Sequence, residues 1–145
     1  MSKPVIAIAS DHAGFTYKEA IKAHLGSRAE ILDLGTHSTD SVDYPDYGQA
    51  MGVAIKAKSA EKGILVCGSG IGISIAANRE PAVRCALCTS PEMAKLSRQH
   101  NDANVLALGE RIVDLKTALE CVDTFLSTEF EGGRHQRRID KMSHC

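Results

Sequence analysis

No stretch of the 145 residues approaches the ~20 consecutive apolar positions that a membrane-spanning helix needs, which excludes an integral protein of that kind. Neither sign of charge prevails. Seventeen Lys and Arg against eighteen Asp and Glu leave a formal net charge of -1, which argues against a nucleic-acid surface spread over the whole fold. A local basic patch stays compatible with that balance. Also missing is a secretory cleavage pattern: Met1-Ser2-Lys3-Pro4 leads straight into the strand-like Val5-Ile6-Ala7-Ile8-Ala9. The expected location is therefore cytoplasmic. Internal repeats, low-complexity tracts and interdomain linkers are absent too, so residues 1–145 are expected to form one domain.

Cysteine is present in an odd number, at positions 67, 85, 88, 121 and 145, scattered through apolar segments. That is not the framework of a disulfide-stapled secreted protein. Cys85 and Cys88 spell C-x-x-C, but they fall inside the strand-like Val83-Arg84-Cys85-Ala86-Leu87-Cys88, where residues three apart point to opposite faces. A redox pair normally opens a helix instead, so these two thiols read as core packing.

What is present is the composition of a soluble globular protein, 43% hydrophobic and 24% charged, with enough chain for a real core. Apolar runs and helical patterns alternate along it. Strands are expected at 4–9, 29–34, 63–67, 83–88 and 104–108, and helices at 14–26, 45–60, 71–78, 91–100 and 114–128. Ser90-Pro91-Glu92 places a cap residue ahead of a proline at the first helical position, and Asp114 stands before Leu115 in the same manner. Short apolar strands alternating with helices imply right-handed βαβ units. The expected architecture is α/β: a doubly wound, Rossmann-like, five-stranded parallel sheet with helices on both faces and a C-terminal helical tail.

In such a sheet ligands bind beyond the carboxyl ends of the strands. There the chain offers Ser10-Asp11-His12-Ala13-Gly14, Cys67-Gly68-Ser69-Gly70-Ile71-Gly72, Thr89-Ser90-Pro91 and Gly109-Glu110-Arg111. The glycines of the second loop let backbone N–H groups converge on one spot, where the dipole of the following helix favours an anion. No Lys-Ser/Thr follows, so it is not a P-loop, and the G-x-G-x-G spacing in the third unit is not the dinucleotide fingerprint. A plain tight turn is the bland alternative. Cys67, last in its strand and facing helix N-termini, sits where a thiolate is stabilised, a base beside an oxyanion hole. A buried structural cysteine would look the same in sequence.

Asp11-His12 could be a helix cap with a solvated histidine or a pair of working groups. His100, in Ser97-Arg98-Gln99-His100-Asn101-Asp102, could simply complement a helix C-terminus. Tyr44 lies in the proline-bounded Asp43-Tyr44-Pro45. If Arg134 starts a helix, Arg134 and Arg138 share a face one turn apart and suit a phosphate. A solvated charged end or a small RNA patch are the rival readings of that tail.

Taken together these segments resemble the B-type ribose-5-phosphate isomerases, the family that also holds the subunits of galactose-6-phosphate isomerase. The resemblance runs nearly the full length. It is carried by Ser10-Asp11-His12-Ala13-Gly14-Phe15, Asp43-Tyr44-Pro45, Cys67 to Asn78, Leu96 to Asp102, and Glu131-Gly132-Gly133-Arg134-His135-Gln136. It implies that Cys67 shuttles a proton between sugar carbons 1 and 2 while the backbone amides of Gly68, Ser69, Gly70, Ile71 and Gly72 hold the enediolate. It further implies that His100 opens the furanose ring with Asp11 and Ser69, that Asn101 binds sugar hydroxyls, and that Tyr44 lines the pocket. His12, Arg111, Arg134 and Arg138 are implied as the phosphate anchor. Ser69 stands where the family often has threonine and keeps the hydroxyl. Some relatives use a glutamate in place of the cysteine, but Ile71 to Ser74 offer no acid, so the cysteine form is expected.

The resemblance also implies no metal, no cofactor and a place in the pentose phosphate pathway. It implies a homodimer or homotetramer with active sites shared between subunits. The chemistry is coherent by itself, since aldose–ketose isomerisation is internally balanced in redox terms and asks for one base and a stabilised enediolate. The alternatives are a hexose-6-phosphate isomerase acting on galactose or allose 6-phosphate, and a non-catalytic phosphosugar-binding module.

Overall fold

The computed structural model describes residues 3–143; Met1, Ser2, His144 and Cys145, the fifth cysteine, lie outside the described residues. Strands and helices alternate in the order β1 (Val5–Ser10), α1 (Phe15–Leu25), β2 (Glu30–Asp33), α2 (Tyr44–Lys56), β3 (Lys62–Cys67), α3 (Ile71–Ala77), β4 (Cys85–Leu87), α4 (Pro91–Asn101), β5 (Val105–Gly109), α5 (Leu115–Ser127) and α6 (Arg134–Met142). The strands form one sheet in the order β2-β1-β3-β5-β4, and every neighbouring pair is parallel. Ser10 is in register with Val66, and Cys67 with Gly109, so β1, β3 and β5 end along the same edge.

The sheet is covered on both faces, which is why its central strands are apolar at every position rather than at alternate ones. Ile6, Ile8, Ile64, Val66, Leu106 and Leu108 pack against Ile21 and Leu25 of α1, Ala94 of α4 and Phe125 of α5. Ala7, Ala9, Leu65, Cys67, Val105 and Ala107 face the opposite layer, where Met51 and Ile55 of α2 and Ile73 and Ala77 of α3 close over them. Cys88 belongs to the first layer and Cys85 to the second, so the C-x-x-C pair does straddle the sheet, and both thiols are free.

The helix starts follow their local chemistry. Ser90 Oγ accepts the Met93 N–H at 3.2 Å, and Asp114 Oδ1 accepts the Thr117 N–H at 2.8 Å. Several expected spans lose a residue or two at their ends, and two are cut back further. The second helix ends at Lys56 rather than at 60, because Lys58 turns into the left-handed region at φ 59°. β4 keeps three residues of the expected six; the Val83 N–H is taken by Glu80 O and the Arg84 N–H by Asn104 Oδ1 before the ladder begins.

One polar cluster is buried at the edge of the sheet. Lys18 of α1 is fully buried, and its Nζ lies 2.7 Å from both carboxylate oxygens of Asp33 at the end of β2. Lys22 donates to Asp33 Oδ2 at 2.7 Å and the Gly35 N–H to Oδ1 at 2.9 Å. Burial alone would raise the Asp33 pKa; the bonds from Lys18, Lys22 and Gly35 outweigh it and hold the carboxyl down at about 2.

Candidate active site

Where β1, β3 and β5 end, the loops that follow enclose an open cleft of about 630 Å³ lined by Asp11, His12, Tyr44, Cys67, Ser69 and Arg111 among others. The order of the sheet reverses direction beside β1 and β3, the place where a doubly wound fold leaves a crevice.

Cys67 is 4% exposed, and its Sγ accepts the Gly70 N–H at 3.1 Å. A backbone donor aimed at the sulfur is the contact an anionic thiolate needs inside a protein. Gly70 has φ 80°, the left-handed region, and a β-carbon there would stand 2.5 Å from Leu87 Cδ1; glycine is what lets the loop turn this N–H onto the sulfur. At Gly72 a β-carbon would stand 2.5 Å from Tyr44 Cε1, so the tyrosine ring lies directly on the loop backbone. Ser69 Oγ accepts the Ile71 N–H at 3.1 Å and stays at the cleft surface.

Asp11 is buried and caps the turn after β1, its Oδ1 accepting the N–H groups of Ala13 and Gly14 at 2.9 and 3.1 Å. The cap reading of Asp11 is thus correct, and the same carboxylate also lines the cleft. His12 Nδ1 accepts the Val42 N–H at 3.1 Å. An accepting Nδ1 puts the proton of a neutral imidazole on Nε2, so His12 can offer the cleft a donor. Arg111 leans over Gly68, with Nη1 3.2 Å from where a β-carbon of Gly68 would be.

The remaining candidates are elsewhere. α4 begins at the carboxyl edge and runs back along the sheet for 11 residues, about 16 Å. His100 and Asn101 at its end therefore lie at the amino edge, where Arg84 donates to the carbonyl oxygens of Asn101 and Asp102 just ahead of β4 and β5. The Glu131 N–H donates to Gln99 O and brings the tail to the same place. α6 does start at Arg134, so Arg134 and Arg138 stand one turn apart on it, both exposed. The chain thus gathers Asp11, His12, Tyr44, Cys67, the 68–72 loop and Arg111 at one edge. It gathers His100, Asn101, Arg134 and Arg138 at the other.

A family model described as Ribose/Galactose Isomerase matches residues 6–142. The chain belongs to that family. Ribose-5-phosphate isomerase B of Escherichia coli (strain K12) is 47% identical to it over 139 residues, spanning 95% of this chain and 93% of that protein. Among solved structures, a ribose 5-phosphate isomerase of Thermotoga maritima superimposes with a TM-score of 0.96 at 51% identity, covering 99% of this chain and 100% of that one. Ribose-5-phosphate isomerase B of Mycoplasma genitalium, solved with bound ribulose-5-phosphate, gives a TM-score of 0.90 at 43% identity over 97% of this chain and 94% of that one. As expected of a ribose/galactose isomerase family member, the fold is the parallel α/β sheet read from the strand and helix pattern.

Sequence reasoning passed over Ala13, Ile75 and Ile112, which line the cleft with apolar atoms and carry no chemical signal of their own. It also gave no role to Glu131 and His135. His135 is buried, its ring stacks on that of His100 with centroids 4.4 Å apart and planes at 17°, and its Nε2 lies 3.4 Å from Glu131 Oε1. Burial, then the charge of Arg134, push its pKa down, with Glu131 opposing. The four-residue spacing of Glu131 and His135 was the one available hint.

Proposed function

We infer that this protein interconverts D-ribose 5-phosphate and D-ribulose 5-phosphate through an enediolate, as an aldose–ketose isomerase. The observation that carries the reading is Cys67, with the Gly70 N–H on its sulfur, in a cleft shared with His12 and Arg111 in a member of this family.

On this reading the Cys67 thiolate takes the proton from C2 of the open-chain aldose and returns it to C1. The carbonyl at C1 becomes a hydroxyl as the hydroxyl at C2 becomes a carbonyl. Between the two transfers the negative charge on oxygen is held by the N–H groups of the 68–72 loop; one such donor is worth about 3–4 kcal/mol elsewhere. Asp11 and Ser69 sit beside the sugar ring, Tyr44 walls the pocket, and His12 and Arg111 hold the phosphate, which positions C1 and C2 at the sulfur.

The ring-opening and remaining anchoring groups, His100, Asn101, Arg134 and Arg138, come from a second copy of the chain, since within one chain they are an α4 length away from Cys67. Large apolar side chains lining the cleft support a packed neighbour: Ile71 is 53% exposed, Ile75 61% and Ile112 59%. The minimal assembly is a homodimer with two composite sites, and pairing of dimers would give a homotetramer.

Purified protein offered ribose, galactose and allose phosphates should turn over ribose 5-phosphate with the highest kcat/KM. Replacing Cys67→Ala should lower kcat about a thousandfold while KM stays within about tenfold, because the thiol does chemistry rather than anchoring. Preference for a six-carbon phosphate would replace the substrate reading, and wild-type turnover in the Cys67 variant would discard the base.

A further inference from the structure

We propose that His100, Glu131 and His135 form a binding site for a divalent cation of the zinc type, and that filling it inhibits the enzyme by withdrawing His100 from ring opening. The first half stands on geometry alone; the second rests on the functional reading above.

Among the described residues these three are the group of His, Cys, Asp and Glu whose possible ligand atoms all lie within 4.8 Å of one another. Two imidazole nitrogens and a carboxylate oxygen are a donor set that zinc takes readily, with one position left for water or an anion. Four-coordinate zinc at ordinary bond lengths sets its ligand atoms about 3.3 Å apart, so the cluster must contract by at most ~1.5 Å.

Both imidazoles can reach one ion only if the His100 ring turns out of its near-parallel stack on His135, because each binds a metal in its own ring plane. His135 is fixed at 6% exposed, whereas Glu131 is exposed and His100 half-buried, so the two donors that have to move are the two with room to do so. His135 Nε2 is also a buried nitrogen without a hydrogen-bond partner. Such an atom costs free energy until something satisfies it, and a cation bridging to Glu131 would do so.

Arg134 and Arg138 sit on the same helix as His135 and oppose a cation. That repulsion fits a reversible inhibitory site better than a resident structural metal.

The test uses the full chain in its native assembly, stripped of metal by a chelator and then titrated with zinc chloride by calorimetry and with cobalt(II) by visible absorption. We expect one ion per chain and cobalt ligand-field bands without a thiolate charge-transfer band. Cys67→Ser should leave the affinity unchanged, whereas Glu131→Gln and His135→Gln should each weaken it about tenfold or more. Glu131 is exposed, so Glu131→Gln keeps the site testable even if His135→Gln fails to fold.

In the isomerase assay zinc should inhibit the wild type, and Glu131→Gln, as active as wild type in chelator, should resist zinc by the same factor. Zinc affinity that is undiminished in Glu131→Gln, or that is lost in Cys67→Ser, overturns the site. Binding with the expected variant pattern but without inhibition keeps the site and overturns the ring-opening role of His100.

Discussion

Cysteine chemistry in this chain is decided by environment. Burial raises the pKa of Cys85, and burial followed by the neighbouring Cys121 brings Cys88 to about 12; burial, then Glu120, brings Cys121 to about 11. Since the thiolate is the reactive form, these three are slow nucleophiles at neutral pH. Among the described cysteines Cys67 alone has a backbone N–H on its sulfur and an open cleft beside it. Iodoacetamide should therefore label Cys67 ahead of Cys85, Cys88 and Cys121, with ribose 5-phosphate blocking the label at Cys67 and at no other cysteine, as peptide mapping by mass spectrometry would show. Labelling of Cys88 or Cys121 ahead of Cys67 would contradict this ranking. The position of Cys67 could be read from the chain, because an apolar run ending in Cys and followed by G-x-G-x-G has few other shapes. The proton placement on His12 could not, because its determinant, the Val42 N–H, comes from a loop thirty residues away.

At the scale of elements, capping made two helix starts legible: Ser90 and Asp114 each satisfy an orphan N–H where the chain said they would. The clasp between α1 and β2 was illegible, since a lysine in a helical pattern reads as surface and only tertiary packing buries Lys18 against Asp33. Asp33→Asn should remove the nearer of the two carboxylates on that buried ammonium, leaving only the exposed Glu19 at 3.1 Å, and cost about 3 kcal/mol in urea denaturation. The acid limb follows from the sign of the shift. Asp33 has its folded pKa, about 2, below the ordinary unfolded carboxylate value near 4, so its contribution is complete above about pH 4 and disappears as pH falls toward 2. Wild-type stability should drop through that window, and the Asn variant should lack this part of the slope; parallel curves would mean that the clasp does not couple to protons.

For the whole molecule, the division of the candidate residues between the two edges of the sheet is the part that pattern reading could not supply. Periodicity places His100 on a helix, but only the direction of α4 across the sheet shows that its end points away from Cys67. The proposed composite site can be tested by complementation. Cys67→Ala chains and His100→Ala chains, each inactive alone, should regain activity when unfolded together and refolded. Random pairing makes half the dimers hybrid with one sound site of two, so recovery should approach about a quarter of the wild-type rate. No recovery from well-folded hybrids would mean that each chain works with its own residues. The same split governs inheritance of damage. In the proposed dimer a chain spoiled at both edges would ruin both sites of any pair it joined, so in a cell making sound and spoiled chains equally, about a quarter of the pairs would stay whole and the defect would behave as dominant.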